Sequence, residues 1–517
     1  MKKFLGAELF FETLHKLGIK TIFGLPGGYV LKIYDVMPSY AKKINHILTR
    51  HEQAATHMAD GFSRASGLPG IILCTSGPAA TNTVTGISTA YADSVPVLIF
   101  TGQVPTPFLG SDAFQEADHI GITRSCTKHN TLVRKTIDLP TAIAEALHIS
   151  STGRKGPVLV DMPKDVLIGE SKFEMPKKVK VKNYSDNPVI NKVDFNKFKI
   201  LLKSSLRPLL IYGRGSCSQE NAKNIKTISQ KFNIPSLTSI LSLGLLGRSK
   251  NNFGMIGEEG SYAARELIRE SDLIISVGCD LNKIIPEYLS RPKKTVIVNI
   301  DKTQFDKQKE NNLNILTNSS FFLESFAKLK NNFEFDWNNR YLDSLLEKNI
   351  NRKSEIILKN NKAFIFSILS ELLGDKVIIC SDFSYEDVNL QQFYEFTDYR
   401  NSIMSGGIGT PGYGFPAAIG AKFSRPNSKV VSISSGANFQ FNMQEMIVAK
   451  EQKIDLTIIV LNEKSSINGT EQKNPDYKMM GESFGVKSIR LNIDKSFKKK
   501  LKKHLSYKGV RLIEILI

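Results

Sequence analysis

Short apolar runs rich in β-branched residues alternate with helix-period stretches along nearly the whole chain. A parallel strand needs a crossover, usually a helix, before its neighbour can be laid down, so this alternation dictates parallel-sheet α/β folding. Three blocks of runs stand out: 21–23, 70–74, 95–100 and 157–161; then 208–212, 272–277 and 295–299; then 377–380, 430–433 and 456–461. Between the first two lies KKVKVKNYSDNP (177–188), which has too little apolar content to pack and reads as a linker. A charged helical stretch around 348–362 precedes the third. The expected fold class is α/β, three consecutive parallel-sheet domains over 1–170, 188–330 and 360–517, and 517 residues suffice for three cores.

Composition removes several classes of function. No apolar run approaches the ~20 residues that cross a bilayer. The N-terminal MKKFLG leads straight into an amphipathic pattern (Leu9, Phe10, Leu14, Leu17) without a signal-peptide core, so a cytoplasmic location is expected. Cys74, Cys126, Cys217, Cys279 and Cys380 show no metal or disulfide spacing and read as buried thiols. The formal charge of +19 raises nucleic acid as a partner, but the lysines are spread out and the densest cluster, 495–503, lacks interleaved aromatics. A solvated basic face is the better reading.

Chemistry begins at Arg50-His51-Glu52, where a helical stretch starts that runs to about Ala65. Ala54, Ala55 and Met58 beside Glu52 suggest an apolar setting in which a carboxylate exchanges protons near neutrality, although a glutamate opening a helix is more often a surface residue serving the dipole. Glycine turns keep it company: Gly24-Leu25-Pro26-Gly27-Gly28 after the first run, and Thr75 to Asn82 between a run and a helix. Such turns at the carboxyl ends of parallel strands let a ligand approach the backbone.

FGLPGGYVLKIYD (23–35), RHEQAATHMADGFSRASG (50–67), TSGPAATNTVTGISTAYADSVP (75–96), SDAFQEADHIGITR (111–124), GRKGPVLVDMPKDV (153–166), SGGIGTPGYGFPAAIGAKFSRP (405–426) and FQFNMQEM (439–446) occur in order. Together they resemble the thiamine-diphosphate enzymes, in particular the large catalytic subunits of acetolactate synthase (acetohydroxyacid synthase). The resemblance implies a pyrimidine-binding domain, a central domain that often carries FAD, a diphosphate-binding domain, and a cofactor lying across a dimer interface. It implies condensation of two pyruvates, or of pyruvate and another 2-oxo acid, with loss of carbon dioxide, in branched-chain amino-acid biosynthesis. Glu52 matches the glutamate that protonates the aminopyrimidine ring. Phe114 and Gln115 match residues beside the reacting carbons, Lys164 one at the substrate entrance, and Gly28 one whose backbone nears the thiazolium. Pro78, Asn82 and Gly409 fall in cofactor-binding motifs, and Arg154 matches an FAD contact. A small regulatory subunit is a further implied partner.

The carboxyl-terminal third departs from that pattern. A diphosphate needs a divalent cation with oxygen ligands, and relatives of this kind supply them from a Gly-Asp-Gly turn and an asparagine about 27 residues later. Here the turn is Ser435-Gly436-Ala437 and the later residue is Glu463, leaving Glu463 and Asn462, with Asn438, as substitute Mg²⁺ ligands. Pro411 stands where a backbone N–H would reach the aminopyrimidine ring, and proline has none. Asp382-Phe383-Ser384-Tyr385-Glu386 replaces a glycine, glutamine and histidine that would touch the diphosphate, and if Glu386 occupies the histidine position its charge opposes phosphate by about 4 kcal/mol at ~4 Å and an effective dielectric of ~20, unless a cation intervenes. Tyr29 replaces a small residue, either as a packing change or as a block on the reacting carbon. The stretch after Glu463 is shorter than its counterpart, and the chain stops at Ile517 without the usual tail. In the central block, GEEG (257–260) lacks a histidine and Asp280 replaces an FAD-contacting arginine, which leaves FAD open. Three readings follow: an acetolactate synthase or related 2-oxo acid carboligase with a divergent cofactor site, a non-catalytic subunit that pairs with itself or an intact relative, and a small-molecule or nucleotide-binding protein using the central domain.

Overall fold

The computed structural model describes residues 2–182, 184–257, 259–281, 294–305, 312–382, 390–463, 465–467 and 470–517. Among them, three six-stranded sheets are joined through helices, the α/β architecture that the alternation of runs demanded. The first contains β1 (Thr21–Gly24), β2 (Asn45–Leu48), β3 (Gly70–Cys74), β4 (Val97–Gln103), β5 (His129–Leu132) and β6 (Val158–Pro163), ordered β2-β1-β3-β4-β6-β5 and parallel throughout. Every residue of β3, β4 and β6 is buried, as expected of strands covered on both faces. The edge strands β2 and β5 are half-exposed and carry no continuous apolar run, which is why the sequence did not announce them.

The second sheet contains β7 (Pro208–Tyr212), β8 (Ser236–Thr238), β9 (Asn252–Met255), β10 (Leu273–Val277), β11 (Lys294–Asn299) and β12 (Asn312–Leu316). Its order, β9-β8-β7-β10-β11-β12, is the doubly wound 3-2-1-4-5-6 arrangement, with its switch point between β7 and β10. It belongs to a compact unit of residues 185–377 and 384–402. Phe198, Leu210, Ile225, Phe322 and Phe326 fill one face of that unit. Trp337 closes part of the other, donating its indole N–H to the Pro208 carbonyl at 2.8 Å.

The third sheet contains β13 (Ile378–Ser381), the edge pair β14 (Ser402–Ile403), β15 (Val430–Ser435), β16 (Thr457–Asn462), β17 (Lys487–Asn492) and β18 (Arg511–Leu516), ordered β14-β13-β15-β16-β18-β17. That repeats the order of the first sheet. The first and third sheets share the other compact unit, residues 1–184, 378–383 and 403–517, and one apolar cluster joins them, including Phe23, Ala55, Met58, Ile378, Tyr413 and Phe439. At its centre α1 (Glu52–Ser66) lies against α2 (Gly414–Ser424). The helices touch backbone to backbone, because a Cβ on Gly61 would meet the Ala417 carbonyl and one on Gly420 the Met58 carbonyl. All five cysteines are free, four of them buried. Among the described residues no helix is long and apolar enough to cross a membrane.

Candidate active site

Three residues beyond β2 stands His51, whose extended backbone leads into α1 and whose Nδ1 accepts the Gln53 N–H at 3.1 Å. Glu52 therefore opens the helix, where the dipole favours a carboxylate. Ala54, Ala55 and Met58 point into the core, while Glu52 is half-buried, and its Oε2 accepts from Asn82 Nδ2 at 2.9 Å. Asn82 ends the short helix Pro78–Asn82, reached from β3 through Gly77, whose φ of +60° only glycine adopts readily. Glu52, Asn82 and Gly28 thus come from the turns after β2, β3 and β1, at the carboxyl ends of neighbouring strands.

Two bonds tie a further loop to these turns. Tyr29 donates its hydroxyl to the Phe114 carbonyl at 2.6 Å, and Ser76 donates to the Gln115 carbonyl at 2.6 Å. Tyr29 therefore serves as a strut for the loop carrying Phe114 and Gln115. Phe114 is 81% exposed, Gln115 has a φ of +60°, and a Cβ on Gly28 would meet nothing within 4 Å. Lys164 is exposed at the start of the helix Lys164–Ile168, and Arg154 donates to Ser94 Oγ at 3.0 Å.

Beneath the loop lies a buried network that sequence reasoning missed. His119 accepts the Gly77 N–H at 3.1 Å and pairs with Asp161 at 3.0 Å. Asp161 also takes the Thr101 hydroxyl at 2.7 Å and the Gln103 amide at 3.0 Å. With its Nδ1 proton on Asp161, the imidazole presents an acceptor to the Gly77 turn. The pairing spans residues about 40 positions apart, and no local motif signals it.

Glu445, inside FQFNMQEM, was likewise read only as part of a motif. It is fully buried and accepts the Arg50 N–H on both oxygens, at 3.1 and 3.2 Å, pinning the chain just before Glu52. Burial pushes its pKa up to about 8, opposed by the Arg50 N–H and charge. Because the folded carboxyl holds its proton above the ordinary value of 4.5, native stability falls as pH rises from about 4.5 to 8. Glu445→Gln is expected to flatten that dependence, read as urea midpoints between ~pH 5 and 8. An unchanged slope would assign it elsewhere.

Among the described residues, the turn after β15 supplies no carboxylate to face Glu52. Strand β15 runs into the one-turn helix Gly436–Phe439, capped by Ser435, and no carboxylate projects from this turn. Asn462 does not stand ready as a metal ligand, because its amide donates to Glu514 at 2.6 Å and its oxygen accepts from Asn474 at 3.1 Å. The Glu463 carbonyl accepts from Asn474 at 2.8 Å, and the Asn438 N–H is directed to Ser435 at 3.3 Å. Gly409 has a φ of +71° and bonds back to the Ser405 carbonyl; Pro411 is exposed. Glu386 lies outside the described residues, as does Glu258 of the GEEG segment. Among the described residues no three His, Cys, Asp or Glu side chains gather to hold a metal. A Mg²⁺-bound diphosphate does not fit this turn.

At the switch point of the second sheet, the Gly213 N–H is spent on the Val277 carbonyl at 3.0 Å and the Gly215 N–H on the Gly278 carbonyl at 2.9 Å. Asp280 stands three residues beyond β10, and neither of these two glycine N–H groups remains for the diphosphate of FAD.

Comparison with known proteins agrees with the order of the motifs. Models of the thiamine pyrophosphate enzymes match in three places: the N-terminal TPP binding domain at residues 5–122, the central domain at 196–326 and the C-terminal TPP binding domain at 387–515. The acetolactate synthase large subunit of Haemophilus influenzae is 35% identical over 98% of this chain and 93% of its own length. That of Lactococcus lactis is 32% identical over 99% and 92%, and the mitochondrial acetolactate synthase catalytic subunit of Saccharomyces cerevisiae is 31% identical over 99% and 80%. With three domains in the same order and similarity along nearly its whole length, the chain belongs to the acetolactate synthase large-subunit family of thiamine pyrophosphate enzymes.

Proposed function

We propose that this chain works in acetolactate-synthase-type carboligation, in which pyruvate loses carbon dioxide and its remaining two carbons join a second 2-oxo acid. Its contribution is the Glu52 side of the site, completed by a paired subunit whose diphosphate side is intact. The observation supporting this is an asymmetry. Glu52 opens α1 with Asn82 on its carboxylate at 2.9 Å, whereas the Ser435-Gly436-Ala437 turn projects no carboxylate. Thiamine diphosphate, when bound, supplies the nucleophilic carbon. On this reading, Glu52 holds and passes a proton at its carboxylate, Asn82 orients that carboxylate, and the Phe114–Gln115 loop, braced by Tyr29 and Ser76, faces the 2-oxo acid. Lys164 provides positive charge near the entrance for an anionic substrate. No part of this proposal runs through FAD.

The test co-expresses the chain with an intact relative whose own catalytic glutamate is changed to alanine, so that only Glu52 can serve. Acetolactate formation is expected in the mixed assembly and should fall at least ~100-fold with Glu52→Ala, the usual scale of one acid–base group. No activity in a proven mixed dimer would reject the half-site role.

A further inference from the structure

The turn after β15 is not simply short of a ligand. A Cβ on Gly436 would stand 2.8 Å from Tyr477 Oη, 2.9 Å from Tyr477 Cε2 and 3.0 Å from Asn474 Nδ2. Real side chains do not tolerate such contacts, so the volume that an aspartate would enter is already filled. Tyr477 is fully buried, and its hydroxyl accepts from Gln440 Nε2 at 3.0 Å and donates to Asn474 Oδ1 at 3.2 Å. Burial pushes the phenol up to about 12, so it remains a neutral donor at any ordinary pH.

Asn474 extends the seal. Its Nδ2 donates both to Asn462 Oδ1 at 3.1 Å and to the Glu463 carbonyl at 2.8 Å, consuming two oxygens that face this turn. The other end of Asn462 donates to Glu514 Oε1 at 2.6 Å. Glu514 is itself fully buried and already satisfied by the Lys478 N–H at 3.1 Å and Arg490 Nε at 2.8 Å. From Gln440 to Arg490 each polar group of this network has a partner within the chain, and the carboxylate it contains, Glu514, is bound to Arg490, whereas a dication would need anionic oxygens free to turn toward it.

We infer that Gly436 and Tyr477 form a matched pair: the tyrosine hydroxyl occupies the place of a charged ligand, and this closed joint captures neither a divalent cation nor a cation–diphosphate pair. It follows that restoring ligands alone is insufficient. An aspartate at position 436 has no room until the Tyr477 ring itself gives way, since its Cε2 crowds the same Cβ as its hydroxyl does, so the two changes are coupled. The inference rests on the family reading of this turn, but its test does not depend on carboligation.

The measurement is Mn²⁺ binding, followed by electron paramagnetic resonance with thiamine diphosphate present, on the full chain and three variants. The unmodified chain is expected to bind Mn²⁺ with a Kd of about 1 mM or weaker. Gly436→Asp with Glu463→Asn should tighten this by less than about threefold, whereas adding Tyr477→Leu, which removes both the hydroxyl and the crowding ring edge, to that pair should tighten it at least ~10-fold. Tyr477→Leu alone should leave it unchanged. Should the triple variant misfold, the unmodified chain still decides. Stoichiometric Mn²⁺ at a Kd of about 10 μM or tighter overturns the inference, as does equal tightening with and without the tyrosine change. Failure of the mixed-dimer assay, by contrast, leaves these titrations untouched and rejects only the half-site role.

Discussion

Gly420→Ala is expected to destabilise the unit built on the first and third sheets by about 2 kcal/mol or more. Two effects oppose each other. Alanine is a better helix former than glycine by about 1 kcal/mol, which favours the substitution. Against that, the new methyl group would lie on the carbonyl oxygen of Met58, and this neighbour is backbone inside α1, not a side chain that can swing away. Relief requires α1 and α2 to separate, opening the apolar cluster between them; overpacking of this kind costs ~1–3 kcal/mol or more and outweighs the propensity gain. Because α1 carries Glu52 at its first turn, the shift should also lengthen the 2.9 Å contact with Asn82. Urea unfolding of the variant beside Gly28→Ala checks this, since a Cβ on Gly28 meets nothing and should change stability by less than ~0.5 kcal/mol. Equal midpoints for the two would show that the helices are not in backbone contact.

The second large effect is expected at Arg64. Its Nε lies 2.6 Å from Asp60 and its Nη2 2.7 Å from Asp93, with all three side chains buried. Tyr413 donates its hydroxyl to Asp60, and the Gly406 N–H donates to Asp93 at 3.0 Å. One cation is therefore shared by two carboxylates beneath the contact between α1 and the segment leading into α2. Arg64→Met removes the cation and leaves both acids in the core, a change that costs about 3–5 kcal/mol because uncompensated buried charge is worse than the pair was good. The pH dependence separates this cause from lost packing. In the variant, buried carboxylates without a cation favour protonation. Its folded state then binds more protons than its unfolded state, so its deficit relative to the native chain should shrink as pH falls from 7 toward 4. A deficit independent of pH would assign the loss to the methylene stem alone.

Much of this protein was legible because its signals are local. Runs that became β3, β4, β7, β10, β15 and β16 are central strands, buried on both faces, and such strands must be apolar at nearly every position. Glu52 and its helix start were readable for the same reason, since capping and glycine turns are written within a few residues of each other. The edge strands β2, β5 and β17 were invisible, because half-exposed strands tolerate polar residues and lose the period that betrays them.

Other features have no local signature. Glu445 holds the chain before Glu52 from nearly 400 residues away, and His119 meets Asp161 across a sheet. The loss of an aspartate at Gly436 was plain in the sequence, and it invited the simple remedy of putting one back. Whether that remedy has room depended on Tyr477, about 40 residues later, whose ring is brought over the turn by the packing of its helix, Tyr477–Ser483, against β17 and β18. The sequence by itself determined the strand–helix alternation, the family and the absence of a carboxylate in the Ser435-Gly436-Ala437 turn, all of which follow from residue type and short spacing. The tertiary structure alone decided that the vacated ligand position is filled, because close packing leaves no space unassigned and the residue that claims it is chosen by the fold rather than by its neighbours in the chain.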